Sequence, residues 1–309
     1  MQLSLLLGRQ IISMFLIVIV GYLMVHTGKF SKTETDALAR INLSIICPCA
    51  IFNSLQREFS MDRLTGLAVA IFAAIVVHIL FIGVERIIRK PMHFTPAESA
   101  SIMYSNALNL IIPLVSATLS DDMLFYVSAF AIVQTVLLWS HCLMIVSHQR
   151  TIRLKSILNV NIFASILGLI FYLCRLQLPS ILSTTVTNIG NMVGPVSMLV
   201  IGMLIGPIDL KTVFTNKRAY LIAFFRLLVF PIIVVLVLRF SGMLKLHPDA
   251  SNIYLVTILA SASCTAATVP QQCQVYGDEG AYASVLNVMT LFFCIITMPF
   301  IVLVYQMLL

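Results

Sequence analysis

Two stretches of this chain place small polar residues ahead of a proline inside an apolar run. The first is Ser105-Asn106-Ala107-Leu108-Asn109-Leu110-Ile111-Ile112-Pro113. The second is Ala262-Ser263-Cys264-Thr265-Ala266-Ala267-Thr268-Val269-Pro270. An acid pair follows eight residues after each proline, Asp121-Asp122 and Asp278-Glu279. Prolines and acids superpose at a single offset of 157 residues, with no gap. A proline deep in a helix deletes a hydrogen bond and clashes with the preceding turn. Lipid cannot satisfy the freed carbonyls, so such a break survives only where protein or a wet cavity surrounds it. Matched breaks in the two halves of a membrane chain point to a transporter's binding site.

Composition makes these runs membrane spans. The 309 residues are 60% hydrophobic and only 10% charged, against about 25% charged in an ordinary soluble domain. With a mean hydropathy of +1.02, a water-soluble fold would expose far too much apolar surface. The net charge of +7 carries no nucleic-acid signal, because Lys and Arg fall at span ends and not on one patch. Seven cysteines, odd in number and mostly inside spans, give neither a disulfide framework nor zinc spacing. Cys47-Pro-Cys49 reads as small buried side chains in preference to a soft-metal chelate. The run after Arg9 is too long for a signal peptide and has no small-residue cleavage site, so it reads as the first span.

At about 20 residues per span, the sequence predicts ten spans, near 5–26, 38–56, 64–86, 97–118, 122–147, 156–174, 181–206, 217–240, 250–273 and 280–307. Odd-numbered loops hold Lys29, Lys32, Arg40, Arg86, Arg89, Lys90, Arg150, Arg153, Lys155, Lys211, Lys217 and Arg218; even-numbered loops hold only Arg57, Arg63, Arg175, Arg239 and Lys245. The bias puts odd loops in the cytoplasm and both termini on the extracytoplasmic side. Five spans per half make the second half enter the membrane inverted. The expected division is therefore 1–150 and 151–309, two inverted five-helix repeats. Asn42…Pro48 in the second span, echoed by Asn188…Pro195 in the seventh, supports it.

The chemistry gathers at the breaks. Half-helices beginning after Pro113 and Pro270 would present orphan N–H groups and partial positive charge to a shared midplane point, where an anion finds donors. Asn106, Asn109, Ser263, Thr265, Thr268, Gln271 and Gln272 would add amides and hydroxyls; hydrogen bonding between helices is the competing role for each. All twelve Asp and Glu fall in loops or near span ends. The one charge well inside a span is Arg226, a functional hypothesis by default, with two open roles: direct pairing with substrate, or a tie to backbone carbonyls of the broken ninth span. His78 is a possible proton carrier for coupling, with a hydrogen-bonded structural role as the plainer reading. Glu98 is explained by the capping box of Thr95-Pro96-Ala97-Glu98, and Asn53 by packing. The acid pairs should cap the following helix. No carboxylate-built sodium or proton site is visible, no metal site or cofactor is expected, and enzyme signatures are absent.

At these residues the chain resembles the auxin efflux carrier family, which includes bacterial malonate-type permeases and plant PIN carriers. The resemblance covers nearly the whole chain. It rests on the order and spacing of Asn42…Pro48 through Phe52-Asn53-Ser54-Leu55, Ser105-Asn106…Pro113-Leu114, Arg226…Pro231 and Tyr276-Gly277-Asp278. It implies an all-α polytopic fold of ten transmembrane helices as two inverted repeats, similar to bile-acid/sodium symporters, with helices 4 and 9 broken and crossing. Spans 1, 2, 6 and 7 would form a scaffold that homodimerises; spans 3–5 and 8–10 would form a transport domain. Asn106, Asn109, Pro113 and Pro270 take the crossover roles. Relatives have a glycine before the first proline, where this chain has Ile111-Ile112, and small residues where it has Gln271-Gln272; both departures imply a smaller or differently shaped pocket.

The expected function is secondary active or facilitative transport of a small organic anion (a mono- or dicarboxylate, or an auxin-like acid) by an elevator movement. The expected location is a plasma membrane of bacterial inner-membrane type. The alternatives are a sodium-coupled organic-anion symporter and a non-transporting receptor that uses the same pocket.

Overall fold

The computed structural model describes residues 2–148 and 159–308, with backbone alone for 2–4 and 121. The repeat boundary at 150/151, the start of the sixth span at 156, and Arg150, Arg153 and Lys155 lie outside the described residues.

Among the described residues the chain is helical. In order it runs through α1 (Gln2–His26), α2 (Lys32–Leu55), α3 (Met61–Met92), α4 (Pro96–Met103) and α5 (Ala107–Thr118). It continues through α6 (Asp122–Ser147), α7 (Val160–Leu173), α8 (Ser180–Ile205), α9 (Leu210–Thr215) and α10 (Lys217–Phe240). The last three are α11 (Ala250–Ala262), α12 (Thr268–Tyr276) and α13 (Gly280–Leu308). Seven of these, α1, α2, α3, α6, α8, α10 and α13, are long and apolar enough to cross a membrane, and α5, α7 and α11 are shorter apolar helices. The molecule is a multi-pass membrane protein.

Helix starts follow local chemistry more than hydropathy. The second span was expected from residue 38, yet α2 begins at Lys32, because Ser31 and Glu34 form a capping box there. Its polar first turns kept it below any apolar threshold. Likewise α3 begins at Met61, capped by Ser60 accepting from the Arg63 N–H.

Small residues set how closely helices approach, as expected where lipid provides no hydrophobic drive. A Cβ on Gly202 would lie 2.0 Å from the Val18 carbonyl oxygen, and one on Gly21 2.3 Å from that of Leu199. So α1 and α8 touch backbone to backbone. A Cβ on Gly190 would fall 3.1 Å from Ala50 Cα, and one on Gly168 2.8 Å from Leu55, which seats α8 and α7 on α2. Asn53 belongs to the same packing, its Oδ1 accepting from Thr187 Oγ1 at 2.9 Å. A second group forms around α3, which packs against α6, α11 and α4.

Polar ties join the two parts of the sequence. Glu98 closes the expected capping box with Thr95, but it does more. Buried in the first turn of α4, it takes a bidentate pair from Arg218 (Nε 2.7 Å, Nη2 3.0 Å) and the Tyr282 hydroxyl at 2.7 Å. The acid pairs do not simply cap the next helix. Glu279 accepts from the Ala97 N–H of α4 at 2.8 Å, and Asp122 pairs with Arg63 at 3.1 Å.

Candidate functional site

The two broken helices meet. α4 ends at Met103, Tyr104 turns extended and Ser105-Asn106 lead into α5. α11 ends at Ala262, Ser263 is extended, and α12 starts at Thr268. Ser105 and Thr265 pair as an antiparallel bridge: the Asn106 N–H donates to Cys264 O at 2.8 Å and the Ala266 N–H to Tyr104 O at 3.0 Å. Backbone that a lone broken helix would leave unsatisfied is thus shared between the two breaks.

Side chains complete that accounting. Gln134 takes both main-chain groups of Ser105: its Oε1 accepts from the Ser105 N–H (3.2 Å) and Oγ (2.5 Å), and its Nε2 donates to Ser105 O (2.6 Å). At the second break the work is divided. Thr290 Oγ1 accepts from the Thr265 N–H (3.1 Å), and Asn287 Nδ2 donates to Thr265 O (2.8 Å). Arg226, fully buried, serves both breaks. Its Nε donates to Ser263 O at 3.1 Å and its Nη1 to Ile102 O at 3.0 Å, with Phe81 5.7 Å from the guanidinium. A cation between the carbonyl ends of α4 and α11 sits where helix dipoles favour positive charge.

The prolines do not mark the gaps, as the sequence had suggested. Pro113 lies eight residues after Ser105, but Pro270 only five after Thr265. The bridged residues are therefore 160 apart where the prolines are 157 apart. The wider π-helical turn Ala107–Ile111 falls in that longer segment. Pro270 sits in the first turn of α12, where its missing N–H costs little, and Pro113 sits a turn further into α5, directly after the π-helical turn. The orphan N–H groups accordingly lie at the starts of α5 and α12, upstream of both prolines.

Beside the crossing lies a cavity of about 180 Å³. Asn106, Asn109, Thr268 and Gln271 reach it from the breaks; Gln134, Thr135 and Trp139 from α6; Asn159 and Asn161 from the start of α7. Among the described residues, its lining carries no charged side chain. Asn109 ties the site to α2 and α8. Its Oδ1 accepts from Ser197 Oγ at 3.2 Å and more weakly from Asn42 Nδ2 at 3.5 Å, and Asn42 and Ser197 bond to each other at 3.0 Å. Across α5, Pro113 rests on α8, where a Cβ on Gly194 would approach its ring to 2.9 Å.

Of the predicted residues, Asn106, Asn109 and Gln271 come together at the cavity, with Thr268. Ser263 and Thr265 are fully buried in the crossing: Ser263 Oγ donates to Ala260 O at 3.2 Å and Thr265 Oγ1 to Ser101 O at 3.0 Å. Arg226, Pro113 and Pro270 support the breaks and do not line the cavity. Gln272 turns away, donating to Leu138 O at 2.9 Å. His78 is buried, with Nδ1 2.7 Å from Ala74 O and its ring 4.9 Å from Phe130. Sequence reasoning missed Gln134, Thr135, Trp139, Asn159 and Asn161. The polar pair Gln134-Thr135 inside an otherwise apolar run was the available signal. Among the described residues no cluster of three or more His, Cys, Asp or Glu is placed to hold a metal ion.

No curated protein matches the sequence. The family described as Membrane transport protein does, over residues 7–154 and again over 144–302. With broken membrane helices, a polar cavity at their crossing and a family match across nearly its whole length, the chain belongs to the auxin efflux carrier and PIN-like permease family of membrane transporters.

Proposed function

We propose that this transporter carries a small organic anion and binds it in the cavity beside the crossed breaks. The observation that carries the reading is the antiparallel pairing of Ser105 with Thr265 next to an amide-lined space of about 180 Å³. The amide lining suits a carboxylate, whether a small mono- or dicarboxylate or an auxin-like acid. Neutral amides and the N–H groups at the starts of α5 and α12 can surround a carboxylate without a fixed counter-charge, which permits release as well as capture. Arg226 adds positive potential through the backbone it braces.

In this reading the helices form ten spans in two inverted five-helix repeats, 1–150 and 151–309. Two spans are the broken pairs α4–α5 and α11–α12. The scaffold consists of α1, α2, α7 and α8, whose glycine contacts hold it as one body and leave an outer apolar face for a second copy. The transport domain is built on α3–α6 and α10–α13. Across the boundary between them Asn109 meets Asn42 and Ser197, Pro113 meets Gly194, and the rings of Phe15 and Phe292 and of Phe125 and Tyr172 touch, beside a void of about 20 Å³. The movement that goes with this division is an elevator-type shift of the transport domain, in a bacterial-type plasma membrane with both termini outside.

Uptake of labelled short carboxylates into proteoliposomes tests the proposal. Saturable uptake of at least one, reduced tenfold or more by Asn109→Ala or Gln271→Ala, is expected. Binding without uptake would instead support a receptor, and uptake unaffected by both variants would remove the site.

A further inference from the structure

α3 is longer than a bilayer core needs. Its 32 residues rise about 1.5 Å each, whereas about 20 residues cross the hydrocarbon. Leu64–Val84 carries no Asp, Glu, Lys or Arg and fills that depth, so the last turns of α3 stand in the headgroup layer. Those turns carry Arg86, Arg89 and Lys90, and His93 caps them in the left-handed conformation (φ 52°).

These four basic residues and Phe94 line one open recess of about 490 Å³. Spacings of three and four residues place Arg86, Arg89, Lys90 and His93 on adjoining positions of the helix surface, where like charges repel. No acid lines the recess among the described residues. The nearest acid in sequence, Glu85, is buried and 3.9 Å from Arg89. The floor is held in place from another helix. Arg218 of α10 donates to Met92 O at 2.6 Å and His93 O at 3.1 Å, and its guanidinium lies 5.4 Å from the Phe94 ring. The carbonyls of the turn are thereby occupied and do not oppose an anion. Ile87, three-quarters exposed, offers an apolar surface beside the basic rim.

We propose that this recess binds the headgroup of an anionic phospholipid of the leaflet in which α3 ends. Arg86, Arg89 and Lys90 would engage the phosphate, and Ile87 the adjoining acyl chain. Arginine suits a phosphate because its planar fork donates two parallel hydrogen bonds. Clustered basic residues at the end of a span also fit the negative surface of a cytoplasmic leaflet. A membrane lipid explains the apolar neighbour and the depth together; a soluble phosphate explains neither.

The test uses the purified, detergent-solubilised full chain, thermal unfolding and native mass spectrometry. Phosphatidylglycerol or cardiolipin should raise the melting temperature by at least about 3 °C and remain as a bound adduct, while phosphatidylcholine and inorganic phosphate should do neither. Arg86→Gln/Arg89→Gln/Lys90→Gln should abolish the shift. Arg86→Gln/Lys90→Gln, which keeps the partner of Glu85, should at least halve it without changing the melting temperature of lipid-free protein. Lys29→Gln/Lys32→Gln/Arg40→Gln, at another helix end, should leave the shift intact. Equal stabilisation by phosphatidylcholine, an equal shift from inorganic phosphate, or an undiminished shift in the recess variants would each overturn the proposal.

Discussion

The two breaks solve one problem with different parts. At the first, a single side chain, Gln134, satisfies both main-chain groups of Ser105. At the second, Thr290 and Asn287 share the equivalent groups of Thr265. The first break lies open to the cavity through Asn106 and Asn109, whereas Ser263 and Thr265 are sealed and the second contributes Thr268 and Gln271 one turn later. What the halves have in common is a backbone requirement: an interrupted helix must find partners for its freed groups within the protein. The side chains that meet it need not correspond.

Arg226 is common to both breaks and should be the most sensitive position. Arg226→Ala removes two charge-assisted bonds to buried carbonyls, each worth about 1.5–3 kcal/mol. We expect a loss of about 3 kcal/mol or more, read as a collapse in melting temperature and folded yield. Arg226→Lys should recover part of it, because one ammonium can reach a carbonyl but cannot span both. The breaks themselves then separate. Gln134→Leu leaves the N–H and C=O of Ser105 without side-chain partners and should cost about 3 kcal/mol. Thr290→Val strands only the Thr265 N–H and should cost about 1–2 kcal/mol. If the two variants melt alike, the division of labour described for the breaks is wrong.

Smallest in stability, though not in function, is Asn109→Ala. Its Oδ1 accepts from Ser197 at 3.2 Å, Asn42 at 3.5 Å and Cys47 at 3.7 Å, so one bond of ordinary strength is lost, and Asn42 and Ser197 keep their own bond without it. A stability change under about 1 kcal/mol, with affinity for a bound carboxylate reduced tenfold or more, would place Asn109 at the ligand. A large fall in melting temperature with affinity unchanged would make it a structural tie.

The sequence shows plainly that two interruptions exist, and it locates them to within about two turns. It reads the wrong residue as the marker, because proline is conspicuous while the start of a half-helix is not. Both prolines lie inside the half-helices that follow the gaps, Pro270 in the first turn of α12 and Pro113 in the second turn of α5. The gaps themselves are set by where carbonyls find Arg226 and the opposite break, contacts that span from 37 to 160 residues of chain. Asn109 and Gln271 were legible because they lie in the interrupted segments. Trp139, Asn159 and Asn161 were not, because nothing local distinguishes a cavity-facing residue of α6 or α7 from one that packs. The second role of Glu98 was hidden for the same reason: a capping box can be read over four residues, whereas its pair with Arg218 depends on how α10 packs against α4.

The cavity contains its own reporter. Trp139, the only tryptophan in the chain, lines it, so its emission can be followed while short mono- and dicarboxylates are titrated into the purified protein. A saturable change with at least one of them, shifted tenfold or more to higher concentration by Asn109→Ala, is the predicted result. An emission that stays flat for a carboxylate that the same protein demonstrably takes up into proteoliposomes would place the substrate elsewhere and contradict the account.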